Sequence, residues 1–312
     1  MVVGVDIGGT TIKAGIVTAA GSILYQNKFP TLADQGPKAV LKQINEAILD
    51  AIDKSGHQTM TAIGIGCPGV VDDAGVVKAP PNFIDWDEVP LKRELSELFP
   101  GIPIEVENDA NAAAIAESKF GAGLHHPNFL FVIWGTGVGG GIILNHKIFR
   151  GPSGGAGEIG HITIDYNGPQ CNCGNVGCVE AYVGQRYLSQ RSAQKLRNHP
   201  ESRILQLVGG DFSKIEPVYI SQAAHDGDPV AREILVEAGQ LLGIGLASVM
   251  NIMDLRISII GGGISAAGDF VMQAVQDSVA RHVLKPLRSD IRVLPAQLGN
   301  NAGLLGAAGL VM

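Results

Sequence analysis

His161, Cys171, Cys173 and Cys178 follow one another as H-x9-C-x-C-x4-C. Three thiolates and one imidazole suit a tetrahedral zinc ion and leave no coordination position for water, so the chemistry offered is structural and not Lewis-acid. The C-x-C spacing is tighter than the commonest zinc spacing, so buried inert thiols and a redox pair stay open beside zinc. Cys67, next to Pro68, stands apart and reads as packed core. A metal at the cluster would clamp the preceding loop GPSGGAGEIG, residues 151–160, which otherwise costs about 1–2 kcal/mol per residue to order. Glu158 and Glu180 flank the cluster, and the same clamp would orient both carboxylates.

Asp109 follows Asn108 where a short apolar strand gives way to an Ala-rich helical run. Phosphorylating an alcohol needs positioning, charge neutralisation and a group to accept the hydroxyl proton, and a carboxylate at a strand end can be that group. Equally, Asn108 or Asp109 can simply cap the helix. Three glycine turns each follow an apolar strand: Gly8-Gly9-Thr10-Thr11, the GTGVGGG run from Gly135 to Gly141, and Gly261-Gly262-Gly263-Ile264-Ser265 directly before a predicted helix. Turns without side chains let several N–H groups converge on an anion, and a helix N-terminus adds to this. Any one alone is explained as a hairpin turn; three together point to phosphates. Asp6, beside the first turn, suits Mg²⁺ directly or through water. Lys13 can reach a phosphate or be a solvated hairpin residue. The GxGxxG matches at Gly64–Gly69 and Gly135–Gly140 open no helix, and GxxxxGK[ST] is absent, so neither a dinucleotide fold nor a P-loop is expected.

Positioning such groups takes a sizeable scaffold. The chain has 312 residues, 46% of them hydrophobic, enough for two domains. Gly, at 42 residues, is about twice its usual share, as many tight turns require. A net charge of -7 argues against a nucleic-acid partner, which needs a basic surface. MVVGVD at the N-terminus lacks the features of a signal peptide, and the apolar run Leu241–Met253 is short of a membrane span, so a cytoplasmic protein without membrane contact is expected.

Strands are predicted at Val2–Asp6, Lys13–Val17, Ile23–Phe29, Met60–Gly66, Val76–Val77, Ile104–Glu107, 129–134, His161–Ile164, Ile257–Ile260 and Ile291–Pro295. Helices are predicted at Pro37–Lys54, Asp109–Phe120, from about Glu180, Pro229–Met253 with an interruption near Gly243 and Gly245, Ala266–Val283 and Ala302–Leu310. Residues 197–212 are uninformative. VVGVDIGGTTIKAGIV and FLFVIWGTGVGGGIIL echo each other as strand, glycine hairpin and strand. A duplicated α/β unit with a ligand in an interdomain cleft is therefore expected. The expected division is a small domain at 1–122, completed by a C-terminal helix at 300–312, and a larger one at 123–299 holding the zinc site.

DIGGTTIKAG, ENDANAAA at 107–114, GTGVGGGI at 135–142, GEIGHITI at 157–164, CNCGNVGCVEAY at 171–182 and IIGGGIS at 259–265 together resemble the ROK family of sugar kinases, and within it the bacterial glucokinases. The match runs nearly end to end and is weakest between Arg191 and Pro229. The resemblance implies an actin-like ATPase (ribonuclease H-like) fold and ATP-dependent phosphorylation of glucose at the 6-hydroxyl. It implies that Asp109 is the base. Asn108, Glu158, His161 and Glu180 would bond the sugar hydroxyls, with Gly69 and Asn82 lining the pocket. Gly8, Gly9, Thr10, Thr11, Thr136, Gly137, Gly262 and Gly263 would surround ATP. His161 would present one ring nitrogen to zinc and the other to the sugar. A homodimer or tetramer is implied as well. Another hexose (mannose, fructose, allose, N-acetylglucosamine or N-acetylmannosamine) is the rival substrate, and a sugar sensor without turnover the rival function.

Overall fold

The computed structural model of the chain describes residues 1–56 and 60–312. Its first strand, β1 (Val2–Ile7), turns through Gly8 and Gly9 into β2 (Thr11–Val17) and then β3 (Ile23–Pro30). Pro37 opens α1 (Pro37–Ser55), where its missing N–H costs nothing, and a left-handed Gly56 closes it. Next come β4 (Ala62–Cys67), the short β5 (Val70–Val71), β6 (Val77–Lys78) and β7 (Glu88–Val89), then α2 (Leu91–Leu98), β8 (Ile104–Asn108) and α3 (Asp109–Phe120). β9 (Phe129–Trp134), β10 (Val138–Leu144) and β11 (Lys147–Ile148) precede a long loop. After it run α4 (Glu180–Val183), α5 (Gln185–Leu196), α6 (Arg203–Leu207), α7 (Pro217–His225) and α8 (Pro229–Met253). β12 (Ile257–Gly261), α9 (Asp269–His282), β13 (Arg292–Pro295) and α10 (Ala302–Gly309) complete the chain.

Two compact units result: residues 1–127, 141–157 and 297–312 form the first, and residues 128–140 and 158–296 the second. A single cut at 122/123 therefore misses residues 123–127, 141–157 and 297–299, all of which belong to the first unit.

In the first unit the sheet order is β3-β2-β1-β4-β8. β2 runs antiparallel to β1 and β3, whereas β1, β4 and β8 are parallel, with Asp6 beside Gly66 and Cys67 beside Asn108. Every residue of β4 is buried, as a parallel strand covered on both faces requires. α1 packs on β2 and β3 through Val40, Ile44, Ala47, Ile48 and Ala51. α10 packs on β1, β4 and α3, and it does so almost backbone to backbone. A Cβ on Gly306 would lie 1.7 Å from the Ala112 carbonyl oxygen, and one on Gly64 would lie 1.7 Å from that of Ala307. Gly306→Ala is expected to destabilise the protein by about 3 kcal/mol, because helix and helix must separate to admit one methyl. A denaturant melt checks this, and an unchanged midpoint would show that α10 is not held so closely.

β5, β6 and β7 form a separate antiparallel sheet that the sequence reading reduced to one strand. Two-residue strands carry too little periodicity to be seen.

In the second unit β9 lies between β10 and β12, and β12 is parallel to both β9 and β13. The arrangement repeats that of the first unit, with a glycine-turn partner on one side and two parallel strands on the other. α8 is unbroken through Gly243 and Gly245. Those glycines serve close packing instead, since a Cβ there would come within 2.6 Å of the Ser278 side chain and 2.5 Å of Val179. Among the described residues α8 is long and apolar enough to cross a membrane, but 61% of its apolar window is buried, as in a core helix packed by α7 and α9. The strand predicted at His161–Ile164 is instead a 3₁₀ turn, Ile159–His161, followed by a single bridge from Thr163 to Cys178. The helix predicted from Ala266 begins only at Asp269, after a 3₁₀ turn and Gly268 at φ 140°.

Candidate active site

The carboxyl ends of β1, β4 and β8 line up in register, which is where parallel sheets collect ligands. At the end of β1 stands Asp6, whose Oδ2 lies 3.2 Å from Lys13 Nζ. Lys13 also donates to the Asn300 carbonyl at 3.2 Å, so it is a bridging residue and not a free hairpin cation. The Gly8–Thr11 turn closes with Gly8 N–H on Thr11 O at 2.9 Å, and Thr31 braces it by donating to Gly8 O at 2.6 Å. Among the described residues nothing lies within 4 Å of a Cβ placed on Gly9, so the outer face of the turn is open to them. A half-buried carboxylate beside such a turn is the hard oxygen donor that Mg²⁺ takes together with waters and phosphate oxygens.

At the end of β8 the capping question is resolved in favour of Asn108. Its Oδ1 accepts from the N–H groups of Ala110 (2.9 Å) and Asn111 (3.1 Å), while its Nδ2 donates to Gly69 O at 3.0 Å. Asp109 occupies the first helical position, with Oδ1 also accepting from Ala110 N–H at 2.8 Å. Between the two strand ends lies Cys67. Burial, and then the carboxylates of Asp109 and Asp6, push its thiol well above the usual range, so it stays neutral core as expected.

Gly69 has φ 98°, and a Cβ on it would meet Lys78 O at 2.7 Å; only glycine fits there. In the PPNFIDW loop Asn82 and Asp85 are exposed and left-handed, at φ 69° and 57°. Phe83 and Trp86 hold that loop down edge to face, 5.1 Å apart. Non-glycine residues held in this conformation gather where a loop has a task beyond connection.

Glu107, in the ENDA run, carries no signal in the sequence that marks it as part of the site. Ile104, Glu105 and Val106 alternate buried, exposed, buried, so Glu107 should face solvent; instead it is 1% exposed. Its Oε1 accepts from Asn108 N–H (2.9 Å) and Asn111 Nδ2 (3.0 Å), and its Oε2 accepts from Arg150 Nε.

In the second unit the turn after β9 is closed by Gly135 N–H on Gly137 O at 3.0 Å. Glu180 Oε2 accepts from Val138 N–H at 2.9 Å, and Gln185 N–H reaches the carbonyls of Gly135 and Thr136 at 3.0 and 3.1 Å. Gly262, at φ 97°, lies against the Trp134 carbonyl, where a Cβ would come to 2.2 Å, while a Cβ on Gly263 would meet nothing. The turns after β9 and β12 are thus neighbours, and Glu180 is tied to the first of them. Because a 3₁₀ turn intervenes, Gly262 and Gly263 do not open α9 directly.

The ligand atoms of His161, Cys171, Cys173 and Cys178 all lie within 4.8 Å of one another. Zinc–sulfur bonds of about 2.3 Å in a tetrahedron set sulfurs about 3.8 Å apart. Cys173 and Cys178 Sγ are 3.7 Å apart, and Cys171 Sγ is 3.8 Å from His161 Nδ1. That is ligand spacing, well beyond the S–S bond a redox pair would close. His161 Nε2 points the other way, 3.9 Å from Glu158 Oε2. Burial, and then the neighbouring thiols, push the Cys178 thiol up to about 12, so a metal must displace protons to bind.

The ROK family model matches residues 2–312. The glucokinase of Streptomyces coelicolor is 41% identical, over 99% of this chain and 97% of its own. The crystal structure of a ROK family glucokinase from Streptomyces griseus in complex with glucose and AMPPNP superposes with a TM-score of 0.85 at 40% identity, covering 99% of this chain and 98% of that one. The xylose repressor of Bacillus subtilis is 31% identical over 99% of this chain and 76% of its own length.

Proposed function

Because the chain belongs to the ROK family, we propose that it is a glucokinase, transferring the terminal phosphoryl group of ATP to the 6-hydroxyl of glucose to give glucose 6-phosphate and ADP. Its fold is that of the actin-like ATPase sugar kinases. The observation that carries the reading is Asp109: a carboxylate at a strand end, at the first position of the helix that Asn108 caps, in the same row of strand ends as Asp6 and an open phosphate turn.

Asp109 accepts the proton of the attacking hydroxyl and aims its oxygen. The amide of Asn108, beyond its bond to Gly69, has one N–H left for a sugar hydroxyl. Glu158, His161 Nε2 and Glu180 supply acceptors and a donor for the remaining hydroxyls, with Gly69 and Asn82 shaping the pocket wall. Gly9, Thr10 and Thr11, on the turn that Gly8 closes, offer backbone N–H groups and hydroxyls to ATP together with Thr136, Gly137, Gly262 and Gly263, and Lys13 adds a positive charge. Asp6 would hold Mg²⁺, which supplies charge neutralisation on the phosphates when bound. His161, Cys171, Cys173 and Cys178 would hold zinc, whose contribution is to stiffen the loop that carries Glu158 and His161.

ADP release measured against a panel of glucose, mannose, fructose, allose, N-acetylglucosamine and N-acetylmannosamine tests the assignment, with polyphosphate run beside ATP as donor. Glucose with ATP is expected to give the highest kcat/KM. A higher value for another hexose would reassign the substrate. Sugar binding without ADP release would favour a sensor.

A further inference from the structure

Glu107 has no place in that chemistry, yet it is a carboxylate only 1% exposed, two residues before Asp109. A buried carboxylate is costly unless its oxygens are paired. Glu107 gives one oxygen to the backbone N–H of Asn108 and the side-chain amide of Asn111, and the other to the Arg150 guanidinium. Asn108 immediately precedes Asp109, and Asn111 lies in the same helical turn. One carboxylate therefore pins the chain on both sides of the proposed base.

Its third partner reaches elsewhere. Arg150 stands at the root of the 150–157 loop, and its carbonyl accepts from Ala156 N–H at 3.0 Å, drawing the loop into a ring. Gly154 of that ring rests on Val71, so closely that a Cβ would lie 2.0 Å from the Val71 carbonyl oxygen. The loop continues directly into Glu158 and the turn that carries His161. Fixing Arg150 thus fixes the loop at its base.

We propose that Glu107 and Arg150 are a positioning pair, neither touching substrate, that holds the Asp109 carboxylate and the root of the 150–157 loop in one fixed relation. The inference rests on Asp109 as the base. Displacing a reacting group by about 1 Å costs on the order of 100-fold in rate, so a pair that fixes the backbone on either side of that group acts on kcat without meeting either substrate.

Arg150→Gln, Arg150→Lys, Glu107→Gln and the double variant Glu107→Gln/Arg150→Gln test it, with kcat and the KM for ATP measured well below each melting midpoint. Either single loss of pairing is expected to lower kcat by about 30-fold with KM for ATP unchanged. The double variant should be no slower than the worse single one, because the two residues act as a unit. Arg150→Lys keeps the charge and should recover most of the rate. Amide hydrogen exchange is the second readout: residues 108–111 and 150–157 should exchange at least about tenfold faster in Arg150→Gln. Wild-type kcat in Arg150→Gln, losses that multiply in the double variant, or unchanged exchange would each overturn the pair. Exchange needs no sugar, so the two readings fail separately. An inactive wild-type protein whose amides are freed by Arg150→Gln would sink the kinase assignment and leave standing only the structural link between residues 108–111 and 150–157. An active one that Arg150→Gln does not slow would sink the pair alone.

Discussion

Asp109→Asn lowers hexose phosphorylation by at least about 100-fold in kcat, the loss expected when a general base is removed. The substitution isolates that role well. Asn keeps the side-chain oxygen that accepts from Ala110 N–H, and the helix cap is made by Asn108 and not by residue 109. What disappears is a charge at the first turn, where a carboxylate is worth about 0.3–1 kcal/mol to the helix. The melting temperature should therefore fall by a few degrees at most, and KM for ATP should hold. Steady-state ADP release and a thermal melt on the same sample decide the matter. Turnover near that of the wild type would end Asp109's candidacy.

Cys173→Ser is expected to abolish zinc retention at the His161, Cys171, Cys173 and Cys178 cluster. Cys173 is exposed while Cys171 and Cys178 are buried, so replacing it removes a ligand and almost no packing. Four ligands share an apparent binding free energy of about 10–16 kcal/mol, and one quarter of it is roughly 3 kcal/mol, or about 100-fold in affinity. After dialysis against a chelator the variant should hold less than about a tenth of the zinc retained by the wild type. The freed loop would carry Glu158 and His161 away from their set geometry, and kcat/KM for glucose should drop about 100-fold with them. Metal analysis and kcat/KM measure the two halves of the prediction. Wild-type protein that contains no zinc as purified would overturn it.

Where burial and period agreed, the sequence could be read closely. α3 and α8 begin and end at the predicted residues, because Asn108 and Asp228 cap them with side-chain oxygens. What escaped was set by tertiary contact. The glycines of α8 look like breaks until Ser278 and Val179 are seen pressed against them. His161–Ile164 has strand-forming residues but no neighbouring strand beyond a single bridge, so the ligand-bearing loop winds into a turn. α2, α6 and α7 are short amphipathic pieces whose periods span too few turns to stand out. In the site itself the glycine turns and the His/Cys cluster announce themselves by composition. Glu107 does not, since nothing local says that a charged residue on the polar phase of a strand will be buried by an arginine from far along the chain.

α10 lies against β1, β4 and α3 with hardly an atom's width to spare, and Lys119 ties its end by donating to the carbonyls of Gly309 and Met312 at 2.7 and 3.1 Å. This places a constraint on biosynthesis. When residues 1–127 leave the ribosome, the helix that seals one face of their sheet has not been made. At about 5–20 residues per second it is complete roughly 9–36 s later. For that interval the glycine-lined backbone of the nascent sheet is uncovered, so the first unit cannot complete its packing until residues 302–309 have been made.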